Sequence, residues 1–145
     1  MRIFISYANE DEGMAMRIYE DLRRNGHEPW IACRDILPGQ DWEGEIRRAI
    51  DGCRFFVAVL STTSVRKTGY VQRELRMAEE LIERMPPDRI FVIPVRLDNC
   101  QIPYERIRGR QWQDLFPSYD EGMKRVFRVL SLSDEATPYP GGPQL

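Results

Sequence analysis

The sequence predicts an open α/β sheet, mostly parallel, with helices on both faces. Three observations carry that expectation. Segments rich in β-branched and aromatic residues alternate with segments whose apolar residues recur at helical spacing. The connections between them are too short for anything but packing of neighbours. Phe55-Phe-Val-Ala-Val-Leu60 is continuously apolar rather than alternating, as suits a central parallel strand covered on both faces.

Taken in order, Arg2 to Ser6 is the first strand. Asn9 to Glu12 is polar and can cap a helix carrying Met14, Ile18 and Leu22, with Ala15 and Tyr19 alongside. Asn25-Gly26 ends it as a left-handed C-cap. Glu28 to Ala32 reads as the second strand, with Pro29 at its start. Cys33 to Gln40 is a loop around the turn Leu37-Pro38-Gly39. Asp41 is placed to cap a helix presenting Trp42, Ile46, Ala49 and Ile50, and Gly52 closes it. After the third strand, Phe55 to Leu60, a polar loop from Ser61 leads into a helix that stops at Pro86-Pro87. Ile90 to Val95 is the fourth strand, Arg96 to Arg110 is irregular, and Gln111 to Leu115 is a short edge strand. Glu121 to Leu130 is a last helix. From Ser133 the composition turns to Ser, Pro and Gly, so residues 1–132 are expected to form one domain and 133–145 a tail or the start of a linker.

With 145 residues, 42% of them hydrophobic, the chain can bury one full core. A net charge of −2, with Lys and Arg scattered among acids, argues against nucleic acid as a partner. No apolar run is long enough to span a membrane, and Met1-Arg2 leads directly into the first strand without room for a signal peptide. Cys33, Cys53 and Cys100 lie far apart, as reduced thiols in a cytoplasmic protein do, not as a disulfide frame or a metal site. His27, the single histidine, follows Gly26 in a turn, which leaves little for a Ser-His or Cys-His pair to rest on.

One residue breaks the amphipathic pattern. In the helix after the third strand, Val71, Leu75, Ala78, Ile82 and Met85 gather on one side at about 100° per residue. Arg73, Arg76, Glu79, Glu80 and Glu83 take the other. Glu74 lies inside the apolar arc, with Tyr70 one turn earlier on its flank. An unpaired buried charge costs several kcal/mol, so this carboxylate needs either a basic partner beneath the helix or a task. Ligands in such folds bind beyond the carboxyl ends of the strands. Tyr7-Ala8, the loop from Cys33 to Gln40, and the segment Ser61 to Tyr70 with Ser64 should all meet at that rim, where the Glu74 helix begins.

Ile3-Phe-Ile-Ser-Tyr7, Trp30, Leu37-Pro-Gly-Gln40, Val59-Leu-Ser61 and Tyr70-Val-Gln-Arg-Glu-Leu75, in this order and spacing, resemble a bacterial Toll/interleukin receptor (TIR) domain. The resemblance covers roughly 1–130. It implies a flavodoxin-like sheet of five parallel strands. It also implies either cleavage of NAD+ at the nicotinamide–ribose bond or homotypic TIR–TIR assembly without chemistry. Bacterial relatives commonly act in anti-phage defence, joined to a sensor and consuming NAD+ or making a cyclised ADP-ribose signal. By position, Glu74 matches the catalytic glutamate, and Tyr70 stands where these enzymes usually carry a tryptophan. Tyr7 and Ala8 match the loop near the nicotinamide, while Leu37, Pro38 and Gly39 lie in the loop that gates the site and takes part in assembly. Ala32 stands where many relatives have an Asp, whose contact Asp35 is placed to supply.

One carboxylate is enough for that chemistry. Nicotinamide departs neutral from a cationic pyridinium, so no general acid is required, and an oxocarbenium-like ribose needs only a nearby negative charge. The expectation is therefore an NAD+ glycohydrolase or cyclase, with NAD+ as substrate, no cofactor and no metal. Glu74 is expected to be held ionised by the helix N-terminus. Other TIR domains, in an oligomer or filament, are the expected protein partners. A silent TIR adaptor is the alternative. A receiver-like module fits less well, because the first strand ends in Ser6-Tyr7-Ala8 and not in an acidic cluster.

Overall fold

The computed structural model describes residues 1–66 and 70–134. Five strands form one all-parallel sheet in the order β2-β1-β3-β4-β5. They are β1 (Arg2–Ser6), β2 (Glu28–Trp30), β3 (Phe55–Leu60), β4 (Val92–Arg96) and β5 (Gln113–Asp114). The helices are α1 (Glu12–Arg24), α2 (Ala32–Asp35), α3 (Trp42–Gly52), α4 (Thr62–Arg66), α5 (Tyr70–Glu83), α6 (Glu105–Arg108) and α7 (Tyr119–Asp134). This is the flavodoxin-like α/β architecture expected from the sequence.

Side chains alternate across the sheet and so divide the core in two. Ile3, Ile5, Phe55, Val57, Val59 and Val95 face α1 and α7, where Ala15, Ile18, Leu22, Met123, Val126 and Leu130 cover them. Phe4, Phe56, Ala58, Leu60 and Val92 face α3 and α5, against Ile46, Ile50, Leu75, Ala78 and Ile82. Phe4 is stacked between Trp30 and Phe56, each ring centroid 5.1 Å away.

The local signals behave as their chemistry requires. Gly26, at φ 85°, closes α1 with two bonds, His27 N–H to Leu22 O and Gly26 N–H to Arg23 O. The Asp41 carboxylate accepts the Gly44 N–H at 3.1 Å and caps α3. Pro94 is tolerated inside β4 for a geometric reason. Leu97 N–H donates to Leu60 O on the β3 side. By alternation Pro94 faces the other way, where β5 pairing begins only at Val95.

Other expectations shift, mostly because a distant side chain supplies a cap. The polar loop after β3 is helical at α4, held by Asp98, whose carboxylate accepts from the Thr62 N–H and hydroxyl. The irregular segment contains α6, whose Arg106 and Ile107 N–H groups donate to Glu79 of α5. The loop expected from Cys33 begins instead inside α2, and β2 ends at Trp30 rather than Ala32. Asp11 does not cap α1; a 3-10 turn at Asn9–Asp11 precedes that helix, and the Asp11 carboxylate accepts the Ser61 hydroxyl at 2.6 Å. β4 starts at Val92 rather than Ile90, and β5 shrinks to two residues. Helix α7 runs from Tyr119 through Asp134, past the expected end at Leu130. Ser133, the expected start of the tail, is thus helical, and 135–145 lie outside the described residues.

Candidate functional site

Ser6 is the last residue of β1, in register with Ala58 of β3 and fully buried. It shares the face of Phe4, so its hydroxyl points toward α3 and α5. Glu74 comes down from the second turn of α5 to the same place. The Ser6 hydroxyl donates to Glu74 Oε1 at 3.2 Å. Glu74 is 6% exposed, and among the described residues no basic side chain pairs with it. The salt bridge that its inward position allowed is absent from that set.

Burial pushes the Glu74 carboxyl up from an ordinary 4.5 to about 8, while the hydrogen bond from Ser6 pulls the other way. This corrects the expectation that the helix N-terminus keeps it ionised. The helix dipole is worth roughly 0.3–1 kcal/mol and fades beyond the first turn. Removing a carboxylate from water costs several kcal/mol. Desolvation wins, and burial favours the neutral acid at pH 7.

Glu74 opens into a groove of about 600 Å³ between the N-terminal halves of α3 and α5. Asp41, Glu43, Gly44, Ile46 and Arg47 line one wall. Arg73, Arg76, Met77 and Glu80 line the other beside Glu74. The Arg73 guanidinium reaches across to the Glu43 carboxylate and ties the two walls together. The walls are mixed in charge, with Arg47 and Arg76 beside the Arg73–Glu43 pair and an apolar floor at Ile46 and Met77.

The other candidates from the sequence lie elsewhere. Tyr7 packs toward the α1 face, opposite to Glu74; burial and the neighbouring Cys33 raise its pKa. Ala8 is buried and its carbonyl accepts from Asp11 N–H in the 3-10 turn. The Asp35 carboxylate is engaged by the Ile31 N–H at 2.8 Å. Ser64 is fully buried, its hydroxyl accepting from Ser61 N–H and donating to Ser61 O. The Tyr70 side chain, like residues 67–69 of the preceding segment, lies outside the described residues. Leu37, Pro38 and Gly39 form an exposed turn, with Leu37 59% exposed, Gly39 at φ 89°, and the Gln40 side chain accepting from Leu37 N–H at 2.7 Å. Of the candidates with described side chains, then, Glu74 alone lines the groove.

The sequence reading missed Ser6 and the groove arginines. Ser6 carried a usable signal, a polar residue in the strand position where alternation demands an apolar one. Arg73 and Arg76 were assigned to solvent by the same helical wheel that placed Glu74 inside. Arg47 had no signal of its own. Among the described residues there is no cluster of metal-ligating side chains, and no helix is long and apolar enough to cross a membrane.

A family model described as "TIR domain" matches residues 3–127. No curated protein matches the chain by sequence. Among solved structures, the TIR domain of the Toll-related receptor TRR-2 from Hydra magnipapillata superposes with a TM-score of 0.71 at 20% identity, covering 89% of this chain and 97% of that one. The TIR domains of the activated Roq1 resistosome, recognising the pathogen effector XopQ, give 0.70 at 18% identity, covering 91% and 98%. A metazoan TIR-STING receptor from C. gigas gives 0.66 at 22% identity, covering 86% of this chain and 38% of that longer one. At these identities the likeness is one of fold.

Proposed function

The chain belongs to the TIR domain family, and on that premise we propose that it cleaves NAD+ at the nicotinamide–ribose bond, with Glu74 as the catalytic carboxylate. One observation carries the reading. A buried acid with no basic partner among the described residues opens into a groove large enough for part of a dinucleotide. A purely structural residue at this position would gain from being apolar.

The chemistry follows from the charge states. Without substrate, Glu74 is mostly protonated at pH 7. The pyridinium of NAD+ is a cation, and its approach favours the carboxylate, releasing the proton to solvent. The C1′–N bond then breaks, its electron pair leaving with neutral nicotinamide. The ribosyl cation that remains is stabilised by the adjacent carboxylate. Water captures it to give ADP-ribose and a proton, or a ring nitrogen of its own adenine captures it to give a cyclic product. Arg47 and Arg76 line the groove where they can meet the pyrophosphate.

Purified protein incubated with NAD+ tests this directly, with products identified by mass. Nicotinamide release by the wild type and its loss in Glu74→Gln support the reading. A silent wild type, dilute and crowded, overturns it.

A second reading has its own observation. The exposed Leu37 at the tip of its Pro38-Gly39 turn suits contact with another TIR domain. A catalytically silent adaptor would use that contact alone. In the enzymatic reading the same contact activates, so turnover per molecule climbs with protein concentration. The setting we attach to it is bacterial anti-phage defence, with a fused or separate sensor driving assembly in the cytoplasm.

A further inference from the structure

We propose that Ser6 is a positioning residue for Glu74, fixing one carboxylate oxygen to the sheet so that the other is presented to the groove. The catalytic consequence rests on the NAD+ reading above; the positioning itself does not.

Three features of the structure support it. Ser6 belongs to β1, which is paired on both sides, to β2 and to β3. Ser6 itself pairs with Ala58 of β3, so its hydroxyl is anchored to a buried strand. Glu74, by contrast, hangs from a helix by a side chain with three torsions. The bond between Ser6 Oγ and Glu74 Oε1 joins residues 68 positions apart and is wholly buried. Glu74 Oε2 makes no hydrogen bond among the described residues, which leaves it as the oxygen able to act on a bound molecule. A serine is also chemically suited to this place. Its hydroxyl can donate to a carboxylate and accept from a carboxylic acid, so it holds Glu74 in either protonation state.

The surroundings make Ser6 influential. On the sheet side the core that α5 covers is built of Phe4, Phe56, Ala58 and Leu60, and its titratable members among the described residues are the Cys53 and Cys100 thiols and the Tyr104 phenol. The charged groups sharing its groove are Asp41, Glu43 and Arg47 from α3 and Arg73, Arg76 and Glu80 from α5. All six are exposed, at the open, solvated side, where water screens them. Against the apolar sheet, the serine hydroxyl is, among the described residues, the polar contact that stabilises the ionised form from within.

A merely structural serine and a positioning serine predict different measurements. The Glu74 carboxyl can be followed by carbon NMR across pH, its signal identified by its disappearance in Glu74→Gln. In Ser6→Ala, the Glu74 midpoint should rise by about one pH unit, since the opposing hydrogen bond is gone. NAD+ cleavage, as kcat/KM at pH 7, should then fall roughly tenfold, and the gap to wild type should narrow above pH 9 as both carboxyls ionise. Ser6→Thr, which keeps the hydroxyl, should restore the midpoint. If Ser6→Ala does not fold, Ser6→Cys carries the same expectation with a weaker donor and similar volume. An unmoved midpoint overturns the proposal whatever the rate does, and so does a rate lowered equally at every pH. A wild type that releases no nicotinamide removes the NAD+ reading, and Ser6 is then judged by the titration alone.

Discussion

The two faces of the sheet are made from the same strands, yet they treat polar groups differently. On the α1/α7 face the interior is apolar throughout, and its polar contacts sit at the margin. There the Tyr119 hydroxyl donates to Asp21 and the Arg17 guanidinium lies 3.7 Å over the Tyr119 ring. On the α3/α5 face the rim position of β1 is Ser6 and the helix residue above it is Glu74. One face is closed for stability, and the other holds an acid where an apolar residue would pack better. Among the described residues Glu74 is the buried side chain that carries an ionisable carboxyl, and it sits next to the groove.

The largest effect that would break or sharpen this contrast is expected at Glu74. Glu74→Gln should lower NAD+ cleavage on the order of a thousandfold, several kcal/mol at the transition state. Its stability should match wild type only below about pH 4.5, where Glu74 is neutral in both states, and exceed it by about 2 kcal/mol at pH 6, because Gln resembles the neutral acid and has no proton to lose on unfolding. Urea denaturation that shows a loss of about 3–5 kcal/mol instead would reveal a paired carboxylate and erase the difference between the faces.

Next in size is the pH dependence of stability. The unfolded chain releases the Glu74 proton near 4.5 and the folded chain near 8. Between those values the native state binds more protons, so stability falls as pH rises. The contribution is fully present below pH 4.5 and lost above about pH 8, on the order of 5 kcal/mol in all. Chemical denaturation from pH 5 to 9 should show this decline in wild type. Glu74→Gln should lack it, and a parallel decline in both proteins would assign it to other groups.

A smaller effect should come from the closed face. A Cβ at Gly122 of α7 would lie 2.6 Å from Asp114 O and 2.7 Å from Leu115 Cδ2. Gly122→Ala gains up to about 1 kcal/mol of helix propensity but must push α7 off β5, an overpacking of about 1–3 kcal/mol. Net destabilisation is expected in thermal melts; a more stable variant would mean this face is looser than its packing implies. Smallest is Asp41→Ala at the groove wall. Loss of the α3 cap should cost about 1 kcal/mol, and a change well above that would mean the groove side is as tightly coupled as the closed one.

Much of the fold was legible because it depends on local patterns. The apolar run of β3, the Asn25-Gly26 ending and the Asp41 cap each declare themselves within a few residues. What was not legible depends on partners far away in sequence. α4 needs Asp98 and α6 needs Glu79, and neither helix has enough residues to announce itself. The same division holds at the candidate site. Glu74 stood out because its own helix marks the apolar face. Its ionisation state did not, since that is set by how completely the sheet and α5 exclude water. Tyr7 and Ser64 were placed at the correct rim, but a rim has two faces and an interior, and linear position does not distinguish them.

The sheet's two outer strands carry a consequence for how copies of this chain can join. β2 has three residues, one of them Pro29, which has no N–H to offer, and β5 has two. Neither presents a row of free backbone groups long enough to template another strand. Sheet-to-sheet extension, the route by which exposed edges grow into fibrils, is blocked at both ends by brevity alone. Any ordered stacking of these domains must therefore be made by side chains on turns and helices, which can be selected one residue at a time.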